Sequence, residues 1–195
     1  AVLYATGRKP NTANIGLENT DITTNERGAI VVNDTCESSV SGVYAVGDVN
    51  GGPQFTYISL DDFRIVFGAL TGNGQYTLQD RKNIPYTTFL TPPLARVGLT
   101  EEDAINKGYT VKTKEMLVAT MPRAHVNDYL KGAFKIVVNA DNDLILGATL
   151  YSQGAEELIN LIKMAMDNNI PYTYFKNQIF THPTMAENLN DLCNF

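Results

Sequence analysis

The sequence predicts an α+β chain built in two parts, and three observations carry that reading. Phe134, Ile136 and Val138 alternate as a half-buried strand does, Asp141-Asn142-Asp143 turns the chain, and a second apolar run spans 144–150; together these read as a hairpin. The apolar period is 3.6 at 63–70 and again at 156–167, which marks two helices. Gln75 to Lys82 separates the two halves as a polar connector, so the parts are drawn as 1–75, 76–83 and 84–195.

In the first part, Ala1 to Ala5 reads as a strand, broken by Thr6-Gly7-Arg8-Lys9-Pro10. Asn25-Glu26-Arg27-Gly28 is a turn, and Ala29 to Val32 is a second short β run. Gly42-Val43-Tyr44-Ala45-Val46 is a third, ending at Gly47-Asp48. A helix starts near Thr56 or Tyr57. Phe63, Val66, Phe67 and Leu70 form its apolar stripe, and Thr71-Gly72-Asn73-Gly74 stops it.

In the second part, strands are expected at 86–90 and 95–99, then a short helix with Thr100 as N-cap and Asp103 at N3, ended by Gly108. A strand over 111–119 precedes the hairpin. The helix over 156–167 carries Leu158, Leu161, Ile162 and Ala165, and Ile159 with Met166 widens that stripe to two sides that need burial. Short helices follow Pro171 and Pro183.

Composition narrows the function classes. The chain has 195 residues, 44% hydrophobic and 18% charged, with a net charge of −6. No basic cluster is present to neutralise phosphates, so nucleic acid is disfavoured as a partner. No apolar run approaches a membrane span of roughly 20 residues. The two cysteines, Cys36 and Cys193, show no CxxC or zinc spacing, which fits a reducing, cytoplasmic setting. No metal site is expected: His125 reads as a surface or strand-edge histidine, and Met164 and Met166 as packing residues.

Two stretches point to chemistry. In Val43-Tyr44-Ala45-Val46-Gly47-Asp48, an apolar strand delivers a carboxylate to its C-terminal edge, where α/β folds bind ligands. Gly47 allows a tight turn and Asp48 can accept hydrogen bonds from ligand hydroxyls. The helix start near Thr56 and Tyr57 presents N–H groups and a positive dipole end. A plain strand-to-helix turn explains the same residues. The second stretch is Thr181-His182-Pro183-Thr184-Met185-Ala186-Glu187. Thr184 and Glu187 have capping-box spacing after a proline, so Glu187 either caps a helix or orients the imidazole of His182.

Ala5-Thr6-Gly7-Arg8-Lys9-Pro10-Asn11 together with Val43 to Asp48 resembles the pyridine nucleotide-disulfide oxidoreductases, the family of glutathione reductase, dihydrolipoamide dehydrogenase and mercuric reductase. Phe89 to Glu101 resembles the start of that family's dimerisation domain, Gly154 to Ile159 its long helix, and Thr181 to Glu187 its C-terminal signature. Gln54 to Asp62, Asp80 to Asn83 and Gln178 to Pro183 look most like a bacterial branch linked to resistance to reactive chlorine species. The resemblance implies a complete dimerisation domain at 84–195, preceded by a β-rich remnant of an FAD-binding domain at 1–75. It implies that Asp48, at the cofactor-binding turn made by Gly47, binds the ribityl chain of FAD and that the backbone at Thr56 and Tyr57 lies against the flavin pyrimidine edge. It implies that His182, oriented by Glu187, shuttles a proton to the partner subunit's redox disulfide in a homodimer. NAD(P)H would be the electron donor, and a disulfide or small oxidant the acceptor.

The family's chemistry also needs GxGxxG turns for FAD and NAD(P)H and a CxxxxC redox pair, and this sequence contains none of them. The chain is therefore expected to be the C-terminal part of a flavoenzyme and inert by itself. A non-catalytic dimerisation module is the alternative. A relative that uses flavin without a disulfide is a third reading, which a His182–Glu187 proton shuttle argues against.

Overall fold

Residues 1–81 make isolated bridges in place of strands. Antiparallel pairs join Thr24 to Ile30, Val32 to Ser38 and Glu37 to Tyr44. The strands expected at 1–5, 29–32 and 42–46 therefore do not form as ladders. Val2, Leu3 and Tyr4 are exposed. A ladder needs a second extended segment in register to take its N–H and C=O groups, and the turns that follow each run leave room for one pair at a time. The computed structural model describes residues 1–195, and they divide into two units, Ala1–Arg81 and Lys82–Phe195.

The first unit holds one α-helix, Thr56–Thr71 (α1). Gly72 ends it in the left-handed conformation, its N–H reaching Ala69 O and Gly68 O. The face turned inward is not the expected one. Phe63, Phe67 and Leu70 are 55%, 57% and 65% exposed, whereas Ile58, Asp62 and Ile65 are buried. Helical spacing shows that a face is apolar; it does not show that these residues alone can cover it. Ala29, Ile30, Cys36 and Ala45 complete a thin core.

The second unit is a five-stranded antiparallel sheet with helices. Its strands are Tyr86–Thr88 (β1), Leu94–Gly98 (β2), Val111–Leu117 (β3), Ala133–Asn139 (β4) and Ile145–Tyr151 (β5), in spatial order β1-β2-β5-β4-β3. The hairpin joins β4 to β5 as expected: Asp143 N–H donates to Asn139 O and Asn139 N–H to Leu144 O. A register shift at Val137/Val138 marks a bulge there. Beside it, Leu99 N–H donates to Leu146 O, and Gly98 takes φ 71 where an added Cβ would collide with that same carbonyl.

Helix Glu101–Asn106 (α2) starts with the expected reciprocal box between Thr100 and Asp103. It ends in a Schellman motif around Gly108, with Tyr109 N–H on Ala104 O and Gly108 N–H on Ile105 O. Pro122–Val126 (α3) carries His125, whose Nε2 lies 2.8 Å from Ala119 O; it stands on a helix and not at a strand edge. Ala155–Asp167 (α4) packs on β2 and β5. Tyr172–Asn177 (α5) and Asn188–Leu192 (α6) follow. The core joins Phe134, Ile136, Val138 and Leu150 of the sheet to Ile159 and Ile162 of α4 and to Leu189 and Leu192 of α6.

Phe134 is fully buried at the centre of this core. Phe134→Ala is expected to lower stability by about 3–5 kcal/mol through lost transfer energy and the cavity left behind. Denaturant unfolding followed by far-UV circular dichroism, before and after the substitution, measures it.

Candidate functional site

The two chemical stretches lie in different units, and each is built locally. In the second unit, α6 buries Leu189, Leu192 and Cys193, so the segment before it is held at its far end. Lys114 of β3 donates to Asp191 O and Asn194 O, placing a cation at the C-terminal end of α6. Asn190 donates to Phe175 O at 2.6 Å and Gln178 O at 2.9 Å, tying α6 to the end of α5. Between these anchors Ile179, Thr181 and His182 are exposed.

His182 Nδ1 lies 2.7 Å from Glu187 Oε2. The histidine side chain is 68% exposed and the glutamate 19%. Glu187 Oε1 accepts the Thr184 N–H at 3.0 Å, and Glu187 N–H donates to Thr184 Oγ1 at 3.2 Å. The two readings of Glu187 are thus not alternatives: one oxygen closes the capping box while the other meets the imidazole. The box closes a turn at 184–187, and the α-helix proper begins at Asn188. With Nδ1 engaged by a carboxylate, Nε2 of the exposed ring is the nitrogen left for another group.

The hydrogen bond to His182 holds the Glu187 carboxyl below its usual range; burial opposes this and the Thr184 N–H adds to it.

In the first unit, Gly47–Asn50 forms a 3₁₀ turn. Gly47 is buried at φ 73, and a Cβ there would collide with Ser59 Oγ of α1, so the turn lies directly on the helix. Asp48 projects outward, 46% exposed, with Arg8 Nη1 at 3.9 Å from its Oδ2, an exposed pair of small energetic consequence. Thr56 and Tyr57 open α1 and are exposed. Phe55 precedes them as N-cap without a side-chain cap, its ring stacked on Tyr57 at 5.1 Å between centroids. Half-buried Asp48 offers an acceptor for ligand hydroxyls, and the start of α1 offers N–H groups and a positive dipole end.

Sequence reasoning passed over Asp62. It is fully buried in α1, and its Oδ2 accepts from Gly47 N–H at 2.7 Å and Asn50 Nδ2 at 3.0 Å. Its Oδ1 meets Arg81 Nη2, while Arg81 Nε donates to Asp61 at 2.7 Å. Burial pulls the Arg81 guanidinium down, but the hydrogen bonds and charges of Asp62 and Asp61 outweigh it and hold the group above its ordinary pKa. The spacing Ile58, Asp62, Ile65 is itself a helical stripe with an acid in the middle, a readable signal for a buried charge.

Both cysteines are buried and free. Burial pushes the Cys36 thiol up to about 11, assisted by the Asp62 charge, and the Cys193 thiol up to about 12. Thiols held protonated and away from solvent do not act as a redox pair.

Residues 84–193 match the pyridine nucleotide-disulphide oxidoreductase dimerisation domain, and residues 1–62 match the pyridine nucleotide-disulphide oxidoreductase family. The chain belongs to the pyridine nucleotide-disulfide oxidoreductases. It is 48% identical over 192 residues to the probable pyridine nucleotide-disulfide oxidoreductase RclA of Escherichia coli strain K12, covering 98% of this chain and 44% of that protein. It is 37% identical to a mercuric reductase of Staphylococcus aureus, covering 96% of this chain and 34% of that protein. Among solved structures, the HOCl-induced flavoprotein disulfide reductase RclA of Escherichia coli superposes with a TM-score of 0.94 at 48% identity, over 97% of this chain and 43% of that one. The chain thus spans less than half the length of these oxidoreductases, and the antiparallel sheet with its helices is the family's dimerisation domain.

Two outcomes follow from these geometries. Because the folded pKa of Glu187 lies below its unfolded value, its stabilisation is complete above the ordinary carboxylate range and is lost as pH falls through the folded value. Wild type should therefore be more stable than Glu187→Gln near neutrality, with the gap closing below about pH 4, as read by melting temperature against pH. Neither Cys36 nor Cys193 should react with an aromatic disulfide reagent until denaturant is added, when both titrate.

Proposed function

We propose that this chain is the C-terminal part of a flavin-dependent NAD(P)H oxidoreductase acting on a disulfide or small oxidant, in which it supplies the subunit interface and the acid/base pair His182–Glu187. The observation that carries the proposal is the 2.7 Å contact of His182 Nδ1 with Glu187 Oε2 on an exposed arm of a dimerisation domain. Residues 1–75 are read as the end of an FAD-binding domain, 76–83 as a connector and 84–195 as the assembly domain.

FAD supplies two-electron chemistry between NAD(P)H and the acceptor. The residues of this chain have separate tasks around it. Asp48, turned outward by Gly47, accepts hydrogen bonds from the ribityl hydroxyls. Thr56 and Tyr57, at the positive end of α1, would stabilise negative charge on a bound flavin. Glu187 holds the imidazole through Nδ1, and Nε2 takes a proton from an attacking thiol and returns it to a departing thiolate of the partner subunit. The thiols themselves lie outside this chain, since Cys36 and Cys193 are buried; alone, the chain is inert.

Assembly as a homodimer follows from the family's use of this domain. Phe89, Leu90, Met164, Tyr174 and Ile179 of the second unit are exposed, a set of large apolar side chains that a second copy would cover. The description of the Escherichia coli relative as an HOCl-induced flavoprotein disulfide reductase supports a role in the response to reactive chlorine. A reducing, cytoplasmic setting suits two free thiols.

In the complete enzyme, His182→Ala should lower kcat for disulfide-linked NAD(P)H oxidation by about 10²- to 10⁴-fold with the flavin spectrum unchanged. Turnover equal to wild type would remove His182 from the mechanism. Light scattering should find the wild type dimeric and Ile179→Asp monomeric.

A further inference from the structure

We infer that Asp62, charge-balanced by Arg81, is the positioning residue that sets the Gly47-Asp48 turn, and hence the direction of the Asp48 carboxylate. The inference rests on the reading of Asp48 as a flavin ligand.

A fully buried carboxylate in a helix stripe between Ile58 and Ile65 has an obvious apolar replacement. Burying a charge is costly unless it is paired and hydrogen-bonded, and a buried ion pair is no more stabilising than well-packed apolar side chains. Stability therefore does not explain the acid. Its partners do. Besides Arg81, Asp62 takes two donors from the 47–50 turn: the Gly47 N–H and the Asn50 side-chain amide. Gly47 is buried, and its N–H, in a turn without a ladder, needs an acceptor. Asn50 extends the grip: its Nδ2 also reaches Ala45 O at 3.2 Å and its Oδ1 accepts the Gly52 N–H at 3.0 Å. One carboxylate and one amide thus bind the turn at its entry, its middle and its exit. Asp48, next in sequence to the gripped Gly47 N–H, is left to project into solvent.

Arg81 completes the device from the end of the unit. It bridges Asp62 and Asp61, and Tyr76 Oη donates to Asp61 Oδ2 at 3.3 Å. The residues after α1 are thereby fastened to Asp62, which holds the turn, and to its neighbour Asp61.

The test is made in the complete flavoprotein that carries this chain, with Asp62→Leu/Arg81→Met. This pair removes the buried charges of Asp62 and Arg81 together and leaves Asp61 to Arg64 and Tyr76, so the double variant should still fold. The dissociation constant for FAD, read by flavin fluorescence, should rise about tenfold or more, and amide hydrogen exchange over residues 47–51 should accelerate. A folded double variant with unchanged FAD affinity and unchanged exchange overturns the inference. If the double variant does not fold, Asp62→Glu replaces it: the charge and Arg81 remain but the oxygens move by one methylene. Weaker FAD binding with faster exchange at 47–51 then supports the role, and wild-type values overturn it. Asp48→Ala separates the two ideas. If it leaves FAD affinity unchanged, the flavin reading of Asp48 fails, while the exchange of residues 47–51 still reports on Asp62 without any flavin.

Discussion

The sheet of the second unit depends on β5. It is the central strand, bonded along one edge to β2 and along the other to β4, and it leads through Ser152-Gln153-Gly154 straight into α4. Ala148 and Leu150 of β5 face the same core as Phe134 and Ile136 of β4 and as Ile159 and Ile162 of α4. Antiparallel pairing fixes which side chains face inward, because a slip of one residue would invert every one of them. Once that face is set, α6 has a surface on which to bury Leu189 and Leu192, and the segment bearing His182 has a fixed end. A reactive side chain on an exposed arm needs such a foundation, since solvent exposure alone would leave it without a defined direction.

The two candidate sites use carboxylates in opposite ways. Glu187 is near the surface, its partner His182 is more exposed still, and its charge is moderated by water. Its value lies in geometry: the Thr184 N–H and the imidazole fix its two oxygens separately. Asp62 is buried, and its charge is held by a guanidinium and two further donors. The first arrangement leaves the imidazole open to solvent; the second satisfies a buried charge with donors from the 47–50 turn and from Arg81.

The exposed apolar side chains of the two units carry one consistent message. Phe63, Phe67 and Leu70 on α1, and Phe89 and Ile179 in the second unit, are too many for isolated surface residues. The chain spans less than half of its relatives' length.

By itself the sequence determined the elements whose signals are local. The period-two run at 134–138 with its Asp-Asn-Asp turn, the reciprocal Thr100–Asp103 box and the glycine stop at 108 all depend on residues within a few positions of one another, and all formed. The motifs at 43–48 and 181–187 likewise carried the family. Only the tertiary structure decided which face of α1 is buried, whether the runs at 1–5, 29–32 and 42–46 pair into strands, and what satisfies the carbonyls at the C-terminal end of α6. Those outcomes turn on partners distant in sequence: Arg81 for Asp62, Lys114 for the end of α6, a neighbouring strand for residues 1–5. Local propensity says what a segment can become, and the groups that reach it across the fold determine which of its donors, acceptors and apolar faces are satisfied.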